Sequence, residues 1–287
     1  NNKINLWKTK YPIIPKKYYY EKKINPYVFI KELSSQCKDD ELIFADTGCS
    51  IAWIMQSFKF KKNQLLFHDF NNTAMGWALP AAIAGSLAKN KKKRIIAIIG
   101  DGSFQLNIQE LATLRKFNLP IKIFLVNNFG HAMIRQTQDQ WLKSKYFASS
   151  FEKGLPEVNF LNVVKSYGIN TTSCKYNADL RKIINKTINS KGAYFCNVEI
   201  DKKHGVIPQV KFGRPNEDPE PLLPRKEFLD NMIILTSLKK TMGDFSQILY
   251  CSSFKNEDDN LNVFFSFDII CTHISSLFLS LIHISEP

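Results

Sequence analysis

Asp101 and Asn128 offer a carboxylate and an amide oxygen, hard donors of the kind a Mg²⁺ ion takes while it also holds a diphosphate. Asp101 sits in Gly100-Asp101-Gly102, and 24 residues separate that triplet from Asn127-Asn128. The glycines let the backbone turn sharply and approach a ligand closely. Ser103 follows, so a helix opening there aims its free N–H groups at the same anion. What must position these residues is readable around them. Arg94 to Ile99 is an apolar run, as in a strand buried on both faces. Gln105 to Phe117 has apolar residues at Leu106, Ile108, Leu111, Leu114 and Phe117, close to helical spacing. Asn118-Leu119-Pro120 breaks that helix, and Ile121 to Val126 is a second apolar strand. Strand, helix and strand in this length make one right-handed crossover, which returns Asn127-Asn128 to the sheet edge of Asp101.

The flanking segments extend the same alternation. Asn25-Pro26 supplies an N-cap and first helical position, with Phe29, Ile30 and Leu33 buried and Lys31 and Glu32 exposed. Leu42 to Ala45 and Leu65 to His68 read as strands, and Met75 to Ala88 as a small-residue helix suited to packing on a sheet or a neighbouring subunit. A loop and helix run on through Trp141, helices cover Val158–Tyr167 and Asn177–Asn189, and Ala193 to Ile200 is a last buried strand. Alternating strands and helices predict an α/β fold, a doubly wound parallel sheet with helices on both faces and ligands at the carboxyl ends of the strands.

Gly-Asp-Gly, a spacer of this length and Asn-Asn together resemble the cofactor motif of thiamine diphosphate enzymes. Over roughly Asn25 to Val210 the chain is similar to the C-terminal cofactor domain of the acetolactate synthase group. The resemblance implies thiamine diphosphate and Mg²⁺ as cofactors, with Asp101, Asn128 and the Gly130 carbonyl as metal ligands and Gly102 and Ser103 near the diphosphate. Asn72 to Ala82 resembles the segment that grips the aminopyrimidine. There Met75 would be the apolar wedge that bends the cofactor into a V, beside Thr73, whose carbonyl would bind the amino group, and Ala74. Asp46 to Ser50 falls where the family places diphosphate contacts, with Gly48, Cys49 and Ser50 as the contacting residues. Acetolactate synthases usually carry Gln and His where this chain has Cys49 and Ser50, a departure that weakens assignment to the valine/isoleucine pathway enzyme. Cys49 lacks a neighbouring base and reads as a small packed residue rather than a nucleophile. His131, Ala132 and Met133 continue the cofactor loop. His131 reads as solvent-facing or hydrogen-bonded in preference to an acid–base group near substrate. Phe129 reads as structural.

In such a family the glutamate that activates the pyrimidine lies on a separate N-terminal domain, usually across a subunit interface, and no segment here resembles it. The central domain that holds FAD in acetolactate synthases is also absent, so FAD would enter only through domains outside these residues. The resemblance implies a 2-oxo acid such as pyruvate as small-molecule substrate, a decarboxylase/carboligase activity, and a homodimer or homotetramer. The alternatives are a simple decarboxylase or lyase of a specialised pathway and, in another class, a non-catalytic basic binding module. Alone, this stretch is expected to catalyse little.

With 287 residues, 44% hydrophobic and 23% charged, the chain can bury a full α/β core. The net charge of +13 is scattered over lysines with no arginine-rich stripe, which argues against a nucleic-acid partner. The six cysteines show no C-x-x-C spacing, consistent with reduced thiols and a cytoplasmic protein. No signal peptide is seen and the chain does not begin with Met, so the first residues read as mid-protein. Residues 1–25 read as an interdomain linker, 26–210 as the cofactor domain, 211–235 as a C-terminal extension and 236–287 as an aberrant, non-native tail. Val263 to Ile282 is interrupted by Asp268 and His273 and is too polar for a membrane span; an amphipathic membrane tail is the alternative.

Overall fold

Strand formation follows the apolar runs. In the computed structural model, which describes residues 2–90, 93–211 and 213–232, six strands form one sheet. They are β1 (Leu42–Ala45), β2 (Leu65–Phe67), β3 (Ile95–Gly100), β4 (Ile121–Asn127), β5 (Asn170–Cys174) and β6 (Tyr194–Glu199). Every pairing is parallel and the order is β2-β1-β3-β4-β6-β5. The central pair β3 and β4 is buried almost throughout, as continuous Ile/Val/Leu runs require. Its register sets Gly100 opposite Val126. Thus Asp101 and Asn127-Asn128 emerge side by side.

The helices are α1 (Asn2–Lys10), α2 (Lys16–Tyr19), α3 (Pro26–Gln36), α4 (Cys49–Ser57), α5 (Ala78–Ala88) and α6 (Asp101–Leu106). They continue with α7 (Glu110–Lys116), α8 (Ala132–Trp141), α9 (Phe160–Ser166), α10 (Leu180–Ile188) and α11 (Arg225–Asn231). Alternate strand residues face opposite ways and build two cores. On one face Ile43, Ile96, Ile98, Phe124 and Val198 pack with Phe29 and Leu33 of α3, Trp53 of α4 and Ile184 of α10. On the other, Phe44, Ala97, Ile99, Leu125 and Phe195 meet Ala78, Leu79 and Ala82 of α5, Leu111 and Leu114 of α7, and Phe160 of α9. Helices therefore cover both faces, as the sequence predicts.

Several local expectations are corrected. The helix expected over Gln105–Phe117 is two helices, α6 and α7, because Asn107 leaves helical geometry and its side-chain amide donates to the Gly76 carbonyl at 2.8 Å. Leu106 is exposed in consequence. The helix expected from Met75 starts at Ala78, because Gly76 takes a φ of +86°, which a helix cannot use. Its small residues serve the sheet: a Cβ on Gly85 would lie 2.5 Å from Phe44 Cζ. Lys31 and Glu32 of α3 are half-buried rather than exposed, and Glu32 lies near Arg181 at the start of α10. Asn25 does cap α3, accepting from the Tyr27 N–H at 3.0 Å. Strand β5, Asn-Thr-Thr-Ser-Cys, lacks an apolar run and is not foreseen from sequence.

Residues 1–206 form one compact unit and residues from 207 onward a second. The segment read as a linker carries α1 and α2, and Ile24 is fully buried. In the second unit Gln209 bridges Glu220, and the Arg225 guanidinium holds the Asp218 carboxylate at 2.8 and 3.0 Å. The tail read as non-native, from 236 on, lies outside the described residues. Among the described residues no helix is long and apolar enough to cross a membrane.

Candidate functional site

Strand order places the site. The chain moves from β1 outward to β2 and then back past β1 to β3, so connections leave in opposite directions between β1 and β3. Beyond the carboxyl ends at such a reversal lies a crevice. A cavity of about 70 Å³ sits there, lined by residues following β1 (Thr47 to Ser50), β3 (Gly100 to Ser103) and β4 (Asn128, Gly130 to Ile134), with Met75 at its side. Helices α4, α6 and α8 all begin at this cavity, and in none does the N-cap residue give a side-chain hydrogen bond. Three helix N-termini converging there give it a positive character suited to an anion.

Asp101 is the buried charge within this wall, 3% exposed. Its carboxylate accepts the Gly102 N–H at 3.0 Å and the Gly130 N–H at 2.8 Å. Burial pushes its pKa up to about 6, while those two amides and the Arg135 charge pull the other way. The Gly130 bond ties the carboxylate directly to the loop that bears Asn128. The chemistry of the donors, one carboxylate, one amide oxygen and a carbonyl in a cavity of amides, fits a small hard cation bound together with a diphosphate. Among the described residues no group of three His, Cys, Asp or Glu could hold a metal. The set at this cavity contains only one such residue, and so is of another kind.

Of the residues singled out from sequence, Gly48, Cys49, Ser50, Met75, Asp101, Gly102, Ser103, Asn128, Gly130, His131, Ala132 and Met133 all line this cavity. Thr73 and Ala74 do not; they are exposed on the loop leading to it, Thr73 with a φ of +49°. Cys49 is buried and its thiol is pushed up to about 12, the mark of a packed residue. The His131 ring is half-buried rather than solvent-facing. A Cβ on Gly102 would stand 2.3 Å from its Cε1, so only glycine leaves that ring its place. Burial, then the nearby Arg135, lowers its pKa, which keeps the imidazole neutral at neutral pH.

Three further residues shape this site in ways that the motifs do not state. Asp46 is fully buried at the end of β1 and accepts N–H bonds from Thr47 (2.9 Å), Gly76 (3.1 Å) and Ala78 (3.0 Å). It caps α5 from another element and pins the turn carrying Met75. Asn127 accepts the Phe129 N–H at 3.1 Å, shaping the loop from which Asn128 projects. Arg135 reaches back from α8 to that same loop. A carboxylate directly after an apolar strand marks Asp46 and the Asn-Asn pair marks Asn127, while nothing in the sequence marks Arg135.

Residues 46–198 match the family described as thiamine pyrophosphate enzyme, C-terminal TPP binding domain. The chain belongs to this family. Its cofactor is thiamine pyrophosphate, another name for thiamine diphosphate, used with Mg²⁺, as the metal-and-anion geometry suggests. Among curated proteins the chain is 33% identical over 216 residues to the acetolactate synthase large subunit of Cyanidium caldarium, covering 75% of this chain and 36% of that protein. It is 31% identical to the chloroplastic acetolactate synthase of Arabidopsis thaliana, over 74% of this chain and 32% of that one. A solved structure of benzoylformate decarboxylase from Polynucleobacter necessarius superposes with a TM-score of 0.59 at 17% identity, covering 68% of this chain and 36% of that one. That likeness concerns the fold. The chain spans about a third of the length of the curated relatives it matches.

Proposed function

We propose that this domain holds thiamine diphosphate and Mg²⁺ at the carboxyl ends of β1, β3 and β4 and serves a 2-oxo acid decarboxylase/carboligase of acetolactate-synthase type. The observation behind this reading is Asp101: a carboxylate buried at a cavity of helix N-termini, joined through the Gly130 N–H to the loop of Asn128. Asp101, the Asn128 side chain and the Gly130 carbonyl would bind the metal. The amides of Gly48, Cys49, Ser50, Ser103, Ala132 and Met133 would face the diphosphate, with Gly102 and the Ser50 and Ser103 hydroxyls beside them. The cofactor, when bound, supplies stabilisation of a carbanion. Met75 would orient it by packing, and Thr73 and Ala74 stand on an exposed rim where a ring shared with a second domain would be reached. The His131 ring, packed against Gly102, would help shield the anion from water.

Other parts of the reaction require groups that these residues lack. Met75 and Ile134 line the cavity yet are 36% and 42% exposed, an apolar margin that a pyrimidine-binding domain of another subunit would cover. We therefore infer a homo-oligomeric complete protein, a cytoplasmic location, and activity that depends on domains beyond this chain. Residues 26–210 would be the cofactor domain and 211–235 an extension of it. A simple decarboxylase is the second reading, favoured by Cys49 and Ser50 standing where acetolactate synthases usually carry Gln and His.

Titration calorimetry of the complete protein with thiamine diphosphate, with and without Mg²⁺, tests the site. Metal-dependent binding supports it, and binding indifferent to metal would overturn it. Product analysis with pyruvate tests the reaction: acetolactate supports carboligation, while acetaldehyde alone would leave a decarboxylase.

A further inference from the structure

Arg135 belongs to no cofactor contact proposed above, yet its guanidinium is wrapped around the metal loop. Nη2 donates to the Asn128 carbonyl at 3.1 Å and lies 3.5 Å from Asn128 Oδ1. Nη1 donates to the Ser149 carbonyl at 3.0 Å and lies 3.5 Å from the Phe129 carbonyl. The Ser149 carbonyl also accepts the His131 N–H at 3.0 Å. One planar fork thus ties the loop after β4 to the segment that returns beside it, an arrangement that a single ammonium cannot reproduce.

The loop needs such a tie. Phe129 has a φ of +61° and Gly130 one of +137°, two successive residues on the positive side. For a phenylalanine that conformation is unfavourable and lasts only where the surroundings over-determine it. Asn127 holds the Phe129 N–H and Asp101 holds the Gly130 N–H. The carbonyl side of the same turn is held by Arg135. A Cβ on Gly130 would lie 2.7 Å from Arg135 Nη1 and 2.5 Å from the Ser149 oxygen, so the guanidinium is packed on the very residue whose carbonyl would face the metal.

We propose that Arg135 is a positioning residue for the metal: it locks the strained Asn128–Gly130 turn so that the Asn128 side-chain oxygen and the Gly130 carbonyl are set before the ion arrives. This rests on the Mg²⁺ reading of the site and adds a sign to it. A guanidinium beside a divalent cation is repulsive, so by charge alone its removal should tighten Mg²⁺ binding. By positioning, its removal should weaken it. Groups that orient metal ligands are worth roughly 10- to 100-fold in affinity.

The test measures, in the complete protein, the Mg²⁺ concentration giving half-maximal thiamine diphosphate binding by calorimetry, for wild type, Arg135→Gln and Arg135→Lys, with melting followed by circular dichroism. Both variants are expected to need roughly 10-fold or more Mg²⁺, while cofactor affinity at saturating metal changes little. Arg135→Lys keeps the charge and stem and guards against a Gln variant that does not fold. Unchanged or tighter Mg²⁺ binding in a folded variant, or a lower melting temperature with normal metal dependence, would overturn the proposal. A wild type whose cofactor binding ignores Mg²⁺ would instead sink the site reading itself.

Discussion

At the amino ends of the strands, buried charges come in satisfied sets. Arg94, just before β3, donates to both oxygens of Glu41 at 2.7 and 2.5 Å and to the Ile188 carbonyl at 2.9 Å. Lys122, near the start of β4 and 1% exposed, gives its ammonium to the Ser190 carbonyl, the Ser190 hydroxyl and the Gly192 carbonyl. At the carboxyl ends the arrangement is unfinished. Asp101 is just as buried, but its partners are two neutral amides, and three helices open there with no hydrogen bond from an N-cap side chain. A buried ion tolerates its surroundings only when paired and hydrogen-bonded. One end of the sheet is therefore completed by its own chain, and the other by something that the chain must bind. Changes at the first end should cost stability and spare binding; changes at the second should do the reverse.

The largest effect is expected at the closed end. Glu41→Ala leaves the mostly buried Arg94 guanidinium with only the Ile188 carbonyl, which costs about 3 kcal/mol. Thermal unfolding should shift down by on the order of 10 °C, while Mg²⁺-dependent cofactor binding by the folded fraction stays unchanged. A matching loss of cofactor affinity would show that the two ends are not independent. Next comes Asp101→Asn. Removing one metal oxygen and its charge should weaken Mg²⁺-dependent thiamine diphosphate binding by about 100-fold or more. The metal-free melting temperature should change little, because relief of the buried charge is offset by an amide NH2 set against the N–H of Gly102 or Gly130, each of which now has a carboxylate oxygen. Normal metal dependence in this variant would remove Asp101 from the ligand set.

The same contrast governs what sequence could tell. Strands β3 and β4 and the site between them were legible because buried parallel strands must be continuous apolar runs, and the chemistry at their ends needs fixed residue types. Strand β5 was not, since an edge position lets Asn170 to Ser173 remain polar and partly exposed. The split between α6 and α7 was hidden because apolar spacing continues through Ile108, while the break comes from Asn107 reaching Gly76, a contact 31 positions away. The role of Arg135 is hidden for a like reason: it lies in the backbone carbonyls of Asn128 and Ser149, and backbone groups leave no trace in sequence.

Asp46 sits between the two classes and should show a moderate effect on both. Its carboxylate belongs to the open end but is satisfied by three N–H groups, two of them in the turn between Met75 and α5. Asp46→Ala should cost about 1–3 kcal/mol from the lost cap and orphaned amides. By loosening the turn that carries Met75, it should also weaken cofactor binding at saturating Mg²⁺ without altering the metal dependence. Differential scanning calorimetry and cofactor titration separate the two. An unchanged cofactor affinity would mean that Met75 is held by something other than Asp46.

The smallest effect is a pH dependence at the closed end. Burial, helped by the nearby Arg94 charge, lowers the Lys122 pKa from 10.5 to about 8. Below that range both the folded and unfolded chains carry the proton, and burying the ammonium is a constant cost. Between about 8 and 10.5 the unfolded chain keeps the proton while the folded chain releases it. The unfolded state then binds more protons, so stability rises with pH across this window. The whole shift would correspond to about 3 kcal/mol, an upper bound because three oxygen acceptors favour the ammonium and oppose it. Urea unfolding of wild type and Lys122→Met at intervals from pH 7.5 to 10.5 isolates this residue, since other titrations cancel in the difference. Wild type should gain on the variant as pH rises. Were it to lose ground instead, the oxygens of Ser190 and Gly192 would be holding the charge more firmly than burial disfavours it, and the closed end would be an ionic lock rather than a tolerated cost.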